Sequence, residues 1–133
     1  MGRRLILDTN VLIAYERDSI DRTVFDDDDL AVAAISIAEY RVGIELADTP
    51  TRAADRSHAL AAITSVVEVL NYAETTATQH ARLMAHVRRI GTPRGAHDLI
   101  IAAHAAETSR TVVSRDAQAR FSDFPGMTAI DPY

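Results

Sequence analysis

The 133-residue sequence contains no cysteine and no lysine. Without cysteine, disulfides and thiolate metal sites are excluded, and a cytoplasmic location is expected. All 14 basic residues are arginines, so mechanisms that require a lysine amine are disfavoured. Apolar runs are also short, well below the roughly 18 residues of a membrane span. The run after the N-terminal arginines is interrupted by Asp8, and no small-residue cleavage site follows it. We therefore expect neither a signal peptide nor a membrane partner.

The composition that is present predicts one globular domain covering residues 1–133. Hydrophobic residues make up 47% of the chain, and the mean hydropathy is -0.04. These values and this length are typical of a single domain with one core. The net charge of -5 disfavours passive, charge-driven binding of nucleic acid, which usually needs a basic patch. It is compatible with an enzyme whose acidic residues hold metal ions.

Short apolar segments alternate with segments of helical periodicity, which predicts an α/β fold. Because the predicted strands are continuously apolar, we expect a mostly parallel sheet with helices on both faces. Thr9 or Asn10 is the expected cap of the first helix, and the acidic stretch 18–29 is expected to be partly helical. The predicted strands are 4–7, 30–34, 66–70, 111–114 and 128–130, and the predicted helices are 11–17, 37–47, 50–63, 75–89, 96–108 and 117–121.

Four acidic residues fall next to predicted strand ends or helix starts. Asp8 follows the first strand, and Glu39 lies in the first predicted turn of the helix after the second strand. Asp98 lies in the first turn of the helix 96–108, and Asp116 follows the strand 111–114. Ligands of parallel sheets gather outside the carboxyl ends of the strands. We therefore expect the four carboxylates to share one edge of the sheet.

A cluster of three or four carboxylates in a chain without cysteine would be an oxygen-only site, which suits Mg²⁺ or Mn²⁺. Two such ions about 3.5–4 Å apart can bind a phosphodiester, activate a water and stabilise the departing oxygen. Each acid also has a purely structural interpretation. Asp8 and Asp116 are possible helix N-caps, and Asp98 is compatible with the dipole of its helix. Ser36 and Glu39 match a capping box. Spacing alone leaves these alternatives open.

Four segments of the sequence resemble the PIN domain, and specifically the VapC-type toxin ribonucleases. The segments are LILDTNVLI (5–13), ISIAEYRVGI (35–44), GAHDLIIAAHA (95–105) and VVSRDAQARFSDFPGMTAIDP (112–132). The resemblance implies a three-layer PIN-like fold, with a central mostly parallel sheet of four to five short strands. It also implies an endoribonuclease that depends on one or two Mg²⁺ or Mn²⁺ ions. A homodimer and an inhibitory VapB-type antitoxin are the partners it implies.

The same resemblance assigns roles to individual positions. The catalytic and metal-binding residues that it implies are Asp8, Glu39, Asp98 and Asp116. The supporting residues are Thr9, Asn10, Ser36 and Arg115, and Asp123 is a candidate outer support. Many relatives have asparagine in place of Asp116, which would keep an oxygen ligand but change the charge.

Arginines near these acids are candidate RNA contacts. Arg88, Arg89 and Arg94 lie between two predicted helices just before Asp98, where they could bind phosphates. The alternative is a solvated helix end at which arginine complements the dipole. Arg115 has the same two interpretations. The five histidines, which include His97 next to Asp98, are expected to be surface or packing residues.

Three other functions remain as alternatives to the toxin ribonuclease. One is a PIN-type nuclease of DNA flaps or RNA maturation, although such proteins usually carry longer insertions. Another is phosphoryl transfer through an aspartyl phosphate. That class normally needs a lysine, and its phosphatase form needs an aspartate where Asn10 stands. The third is a non-catalytic interaction module in which the acids only cap helices.

Overall fold

The computed structural model describes residues 2–17, 19–116 and 119–132. Within these ranges, five strands form one sheet, and every neighbouring pair of strands is parallel. The strands are β1 (Arg4–Leu7), β2 (Asp29–Ala33), β3 (Glu68–Leu70), β4 (Thr111–Val113) and β5 (Ala129–Ile130). Their spatial order is β3-β2-β1-β4-β5, so β1, which Asp8 follows, is the central strand.

Helices cover both faces of this sheet, as predicted. Along β1, Leu5 and Leu7 pack in one buried cluster, and Ile6 packs in the other, because successive side chains point to opposite faces. The helices are α1 (Thr9–Glu16), α2 (Ala34–Glu45), α3 (Pro50–Thr64), α4 (Glu74–Ile90) and α5 (Ala96–Thr108). The cluster with Leu5 and Leu7 includes residues of α1, α2 and α3, and the cluster with Ile6 includes residues of α4 and α5. The α/β three-layer prediction is therefore confirmed.

Some element boundaries differ from the prediction. Helix α1 begins at Thr9 with Asp8 as its N-cap, so the prediction of a Thr9 or Asn10 cap was wrong. Helix α2 begins at Ala34, three residues early, which places Glu39 in its second turn and not in its first. Strand β3 begins two residues late, and Val66, just before it, is 74% exposed. The acidic stretch contains a short 3-10 helix at Arg22–Phe25.

The segment after Asp116 also differs from the prediction. Residues 117 and 118 of the predicted helix 117–121 lie outside the described ranges. A 3-10 helix occupies Phe121–Asp123 instead, and both Phe121 and Phe124 are buried in the cluster under α5. In the part of the chain that is described, no helix is long and apolar enough to cross a membrane.

Arg110 joins three strands at the amino-terminal edge of the sheet. Its Nη1 donates hydrogen bonds to the backbone oxygens of Leu5 (3.0 Å) and Asp29 (2.9 Å). Its Nη2 donates to Oε2 of Glu68 at 3.0 Å. The guanidinium thus fixes the starts of β1, β2 and β3. Asp8, which follows the end of β1, lies at the opposite edge of the sheet.

Candidate active site

Asp8 stands at the junction of β1 and α1 and is only 5% exposed. Its Oδ1 accepts a hydrogen bond from the backbone N–H of Thr9, and its Oδ2 accepts one from the hydroxyl of Ser114, both at 2.8 Å. The N–H of Asp8 donates to the backbone oxygen of Val113 at 2.9 Å, which continues the pairing of β1 with β4. Asp8 is therefore the N-cap of α1, as its structural interpretation predicted. Its Oδ2 is also held by Ser114, which follows β4.

Glu39 is attached to α1 through the hydroxyl of Thr9. The Thr9 Oγ1 lies 3.0 Å from both Oγ of Ser36 and Oε1 of Glu39. The capping-box interpretation of Ser36 and Glu39 was wrong, because the N-cap of α2 is Ala33 and no side chain caps it. Both residues lie beyond the N-cap and face Thr9 instead. On the other side, Nδ1 of His97 lies 3.3 Å from the same Oε1 of Glu39.

Asp98 lies in the first turn of α5, as predicted. A Cβ atom on Gly95, the N-cap of this helix, would lie 3.0 Å from Oδ2 of Asp98. The absence of a side chain at Gly95 therefore leaves room for the Asp98 carboxylate. Asp98 also lies where the positive end of the helix dipole favours an anion.

The pKa values of Asp8 and Asp98 show that the four acids interact. Burial raises the pKa of Asp98 above its usual 3.8, and the charges of Asp8, Asp116 and Glu39 raise it further, against a smaller opposing effect of His97. Burial also raises the pKa of Asp8, with further contributions from Asp116 and Glu39. The hydrogen bonds from Ser114 and Thr9 act in the opposite direction. Repulsion of this kind is expected among carboxylates that share one edge of a sheet.

Asp116 is exposed just beyond the end of β4. Its backbone N–H donates to Oγ of Ser114 at 3.0 Å, so a single hydroxyl contacts both the Asp8 side chain and the Asp116 backbone. Asn10 contributes as well, because its Oδ1 accepts from the N–H of Arg115 at 3.2 Å. Asn10 and Ser114 thus hold the turn that carries Asp116 against the start of α1.

The arginines divide into two groups. Arg88 and Arg89 are exposed in the last turn of α4, which ends at Gly91 in the left-handed conformation. Arg115 is exposed as well. Arg94 differs from them, because its side chain is only 6% exposed and donates to the backbone oxygen of Ala119 at 2.6 Å. The Arg94 guanidinium is therefore hydrogen-bonded within the protein and does not point to solvent, where RNA phosphates would bind.

Sequence reasoning missed two contacts of the acids. The sequence predicts Ser114 only as the end of a strand, although a hydroxyl two positions before Asp116 is a recognisable signal. It predicts His97 only as a surface or packing residue. The proximity of His97 to Glu39 could not be inferred from spacing, because the two lie on different helices. The structure brings together Asp8, Glu39, Asp98 and Asp116 with Thr9, Asn10 and Ser36.

The donor chemistry of this cluster fits a hard divalent cation. Its charged ligand atoms are carboxylate oxygens, and the chain has no thiol to compete. In the ranges that the structure describes, no three acidic or imidazole side chains already form an arrangement that could hold an ion. Uncompensated carboxylates repel one another, so a cation would have to draw them together.

Several known proteins resemble this chain in sequence and in fold. The family model described as the PIN domain matches residues 5–126. Ribonuclease VapC5 of Mycobacterium tuberculosis is 33% identical over 112 residues, which cover 84% of this chain and 82% of the relative. A chain of DNA-bound VapBC from Salmonella typhimurium superposes with a TM-score of 0.84 at 27% identity, covering 100% of both chains. A chain of VapBC-5 from Mycobacterium tuberculosis gives 0.75 at 29% identity, covering 98% of both.

Proposed function

This chain belongs to the PIN domain family, among its VapC-type members, and from that premise we propose that it is a toxin ribonuclease. The proposed reaction is hydrolysis of RNA phosphodiester bonds at the acidic cluster, with Mg²⁺ or Mn²⁺ as the cofactor. The observation that carries the proposal is the placement of the acids: the Ser114 hydroxyl contacts both the Asp8 side chain and the Asp116 backbone, and Thr9, the neighbour of Asp8, contacts Glu39. A folded protein rarely keeps repelling carboxylates together without a use for them.

Asp8, Asp98 and Asp116 would hold the cation, and Glu39 would orient a further ligand of the site. When bound, one or two cations supply charge neutralisation at the scissile phosphate and a lower pKa of the attacking water. Neutral carboxylic acids bind cations poorly, so the raised pKa values of Asp8 and Asp98 imply weaker metal binding at acidic pH.

The residues around the acids have separate tasks in this proposal. Ser114 orients one oxygen of Asp8. Thr9 and His97 both contact Oε1 of Glu39, which leaves the direction of that carboxylate fixed from two sides. Glu39 then positions the attacking water for displacement at phosphorus. Water would form the new P–O bond as the P–O3′ bond breaks. The water releases a proton to solvent and the departing O3′ takes one up from solvent, so the products carry a 5′-phosphate and a 3′-hydroxyl.

The direct test is cleavage of a structured RNA by the purified chain with Mg²⁺ or Mn²⁺ and with EDTA. We expect Asp8→Asn, which keeps the size of the side chain, to lower the rate by at least about 100-fold, since it removes a ligand charge. Asp55→Asn is the matched control, because Asp55 is exposed on α3, a helix that carries none of the four acids. Equal rates for Asp8→Asn and the parent chain would reject the proposal.

A VapB-type antitoxin is the proposed protein partner. Val42, on the helix α2 that carries Glu39, is 55% exposed, and Leu46, at the end of that helix, is 77% exposed. Exposed apolar residues at i and i+4 are suited to docking of an amphipathic helix. The gene next to this one should encode the partner, and we expect Leu46→Asp to weaken their co-purification without changing RNA cleavage. Leu46→Asp that co-purifies normally would remove this surface from the proposal.

The homodimer and the cytoplasmic location are parts of the same proposal. Light scattering of the purified chain with and without antitoxin measures the oligomeric state, and fractionation of cells measures the location.

The alternative function is that of a PIN-type nuclease of DNA flaps or of RNA maturation. Cleavage of a flap DNA faster than of single-stranded or structured RNA would favour that alternative.

A further inference from the structure

Arg94 lies just before the helix that carries Asp98 and contacts residues that follow Asp116 in the chain. It precedes Gly95, the N-cap of α5, and therefore lies four residues before Asp98. Its guanidinium reaches the segment that follows Asp116, where Nη1 donates to the backbone oxygens of Ala119 (2.6 Å) and Arg120 (3.2 Å). One side chain thus spans the entry to α5 and the segment after β4.

Two further contacts fix this guanidinium. Nη2 donates to Oδ2 of Asp123 at 3.1 Å, and the guanidinium carbon lies 4.9 Å from the ring centre of Phe124. The side chain of Arg94 is 6% exposed, whereas that of Asp123 is 50% exposed. Planar, multidentate contacts of this kind need arginine, since lysine provides only a point charge.

We propose that Arg94 is a positioning residue of the acidic site, which fixes the separation between the Asp98 and Asp116 carboxylates and thereby the affinity for a divalent cation. Asp116 is exposed, and its backbone is linked to the contacts of Arg94 through Ala119. The N–H of Ala119 donates to the backbone oxygen of Asp116 at 3.3 Å, and the backbone oxygen of Ala119 accepts from Arg94. Residues that orient metal ligands typically account for roughly 10- to 100-fold in metal affinity. The inference rests on the proposed function, because it concerns the cation of the same site.

Electrostatics alone predicts the opposite result, which makes the inference testable. Loss of a positive charge near a cation site strengthens cation binding by Coulomb's law. Loss of the positioning of the carboxylates would instead weaken cation binding. For Arg94→Met, which keeps much of the apolar volume, we therefore expect the Kd for Mn²⁺ to rise about 10-fold or more by isothermal titration. We expect saturating Mn²⁺ to restore most of the RNA cleavage rate.

Arg110→Met is the matched control. The Arg110 side chain is also buried and also binds backbone oxygens and carboxylates, but it does so at the opposite edge of the sheet. If general destabilisation were the cause of weaker metal binding, Arg94→Met and Arg110→Met would lose similar Mn²⁺ affinity whenever their melting temperatures fell by similar amounts. Unchanged or tighter Mn²⁺ binding by Arg94→Met, or an equal loss in Arg110→Met, would overturn the inference.

Asp123→Asn supplies a milder variant in case Arg94→Met fails to fold. It keeps the contacts of Arg94 with the two backbone oxygens and weakens the contact with the side chain of residue 123. Loss of the negative charge of Asp123 would itself weaken cation binding, so this variant is measured by amide hydrogen exchange in the metal-free protein. We expect the Asp116 amide, which donates to Ser114, to exchange faster than in the parent chain, and an unchanged rate would count against Arg94.

Amide hydrogen exchange in the metal-free protein separates this inference from the proposed function. The reporting amides are those of Asp116, Asp123 and Phe124, which donate to Ser114, Arg120 and Phe121. We expect them to exchange faster in Arg94→Met than in the parent chain, with no change in Arg110→Met. A parent chain that binds no Mn²⁺ would reject the proposed function, whereas unchanged exchange in Arg94→Met would reject the role of Arg94.

Discussion

The hydroxyl of Ser114 donates a 2.8 Å hydrogen bond to Oδ2 of Asp8 and so connects the ends of two neighbouring strands, β4 and β1. The same oxygen accepts the N–H of Asp116 at 3.0 Å. Two of the four acids are therefore oriented by one side chain that the sequence did not predict to be functional.

Replacing this hydroxyl should impair the site without unfolding the protein. In Ser114→Ala, Asp8 loses a hydrogen bond that stabilises its charged form, and the Asp116 N–H loses its acceptor. We expect the RNA cleavage rate at limiting Mn²⁺ to fall about 10-fold. Ser65→Ala is the control, because Ser65 is exposed at the end of α3 and its hydroxyl donates to the backbone oxygen of Ala62. Equal rates for both variants would show that Ser114 does not orient Asp8.

The space at Gly95 offers a second test. An alanine Cβ there would lie 3.0 Å from Oδ2 of Asp98, so that the carboxylate would have to move by a few tenths of an ångström. Gly95→Ala should weaken Mn²⁺ binding measurably while leaving the melting temperature nearly unchanged, since the backbone conformation at Gly95 suits any residue. At Gly43 an added Cβ would lie 3.8 Å from its nearest neighbour, so Gly43→Ala should bind Mn²⁺ like the parent chain. Equal Mn²⁺ affinity in the two variants would contradict the prediction.

Burial of the Asp98 carboxylate and its repulsion by the other acids should appear as a stability cost in the metal-free protein. The pKa of Asp98 is raised in the folded state, so between 3.8 and that raised value the folded protein binds more protons than the unfolded chain. Stability therefore falls as the pH rises through the raised pKa and stays lower at neutral pH. We expect Asp98→Asn to raise the melting temperature in EDTA at pH 7. The expected rise is roughly 3 °C for each kcal/mol that the substitution adds to the free energy of unfolding.

That gain should shrink as the pH approaches 3.8, and Mn²⁺ should stabilise the parent chain more than Asp98→Asn. The control is Asp55→Asn, at an exposed position on α3. A melting temperature for Asp98→Asn at or below that of the parent chain in EDTA would contradict the predicted cost of keeping Asp98 charged in the folded state.

His104 predicts a separate sensitivity to acid. It is 1% exposed, its Nδ1 lies 3.7 Å from Oε2 of Glu107, and burial lowers its pKa below the usual 6.5. The neighbouring groups that act on its charge are Glu107, which favours the protonated form, and His80, which opposes it. Between the folded pKa and 6.5 the unfolded chain binds more protons, so stability falls as the pH decreases through that range.

We expect His104→Gln to lose less stability than the parent chain when urea unfolding is compared at about pH 7.5 and about pH 5.5, on either side of the unfolded pKa. His58→Gln, at an exposed position on α3, should keep the parent dependence. Identical pH dependence in His104→Gln and the parent chain would assign the acid sensitivity to another group.

The sequence by itself determined the order of the five strands and of helices α1 to α5, the parallel sheet, and the positions of Asp8, Asp98 and Asp116 next to strand ends or helix starts. The ends of β1 and α5 were predicted to the residue, because an apolar strand followed by Asp8 and a periodic helix after Gly95 are local patterns. Composition alone reveals that cysteine and lysine are absent, which excludes thiolate metal ligands and disfavours mechanisms that require a lysine amine. These features depend on residues close together in the chain or on composition, which is why the sequence carries them.

Only the tertiary structure decided what each polar side chain contacts. Ser36 and Glu39 fit a capping box by spacing, but α2 begins earlier, and both residues face Thr9, with Glu39 lying 30 positions after it. The Ser114 contact with Asp8 spans 106 positions. Arg94 resembled its exposed neighbours Arg88 and Arg89 in sequence, yet its side chain is buried. Burial depends on which distant segments pack together, and that is a property of the whole fold.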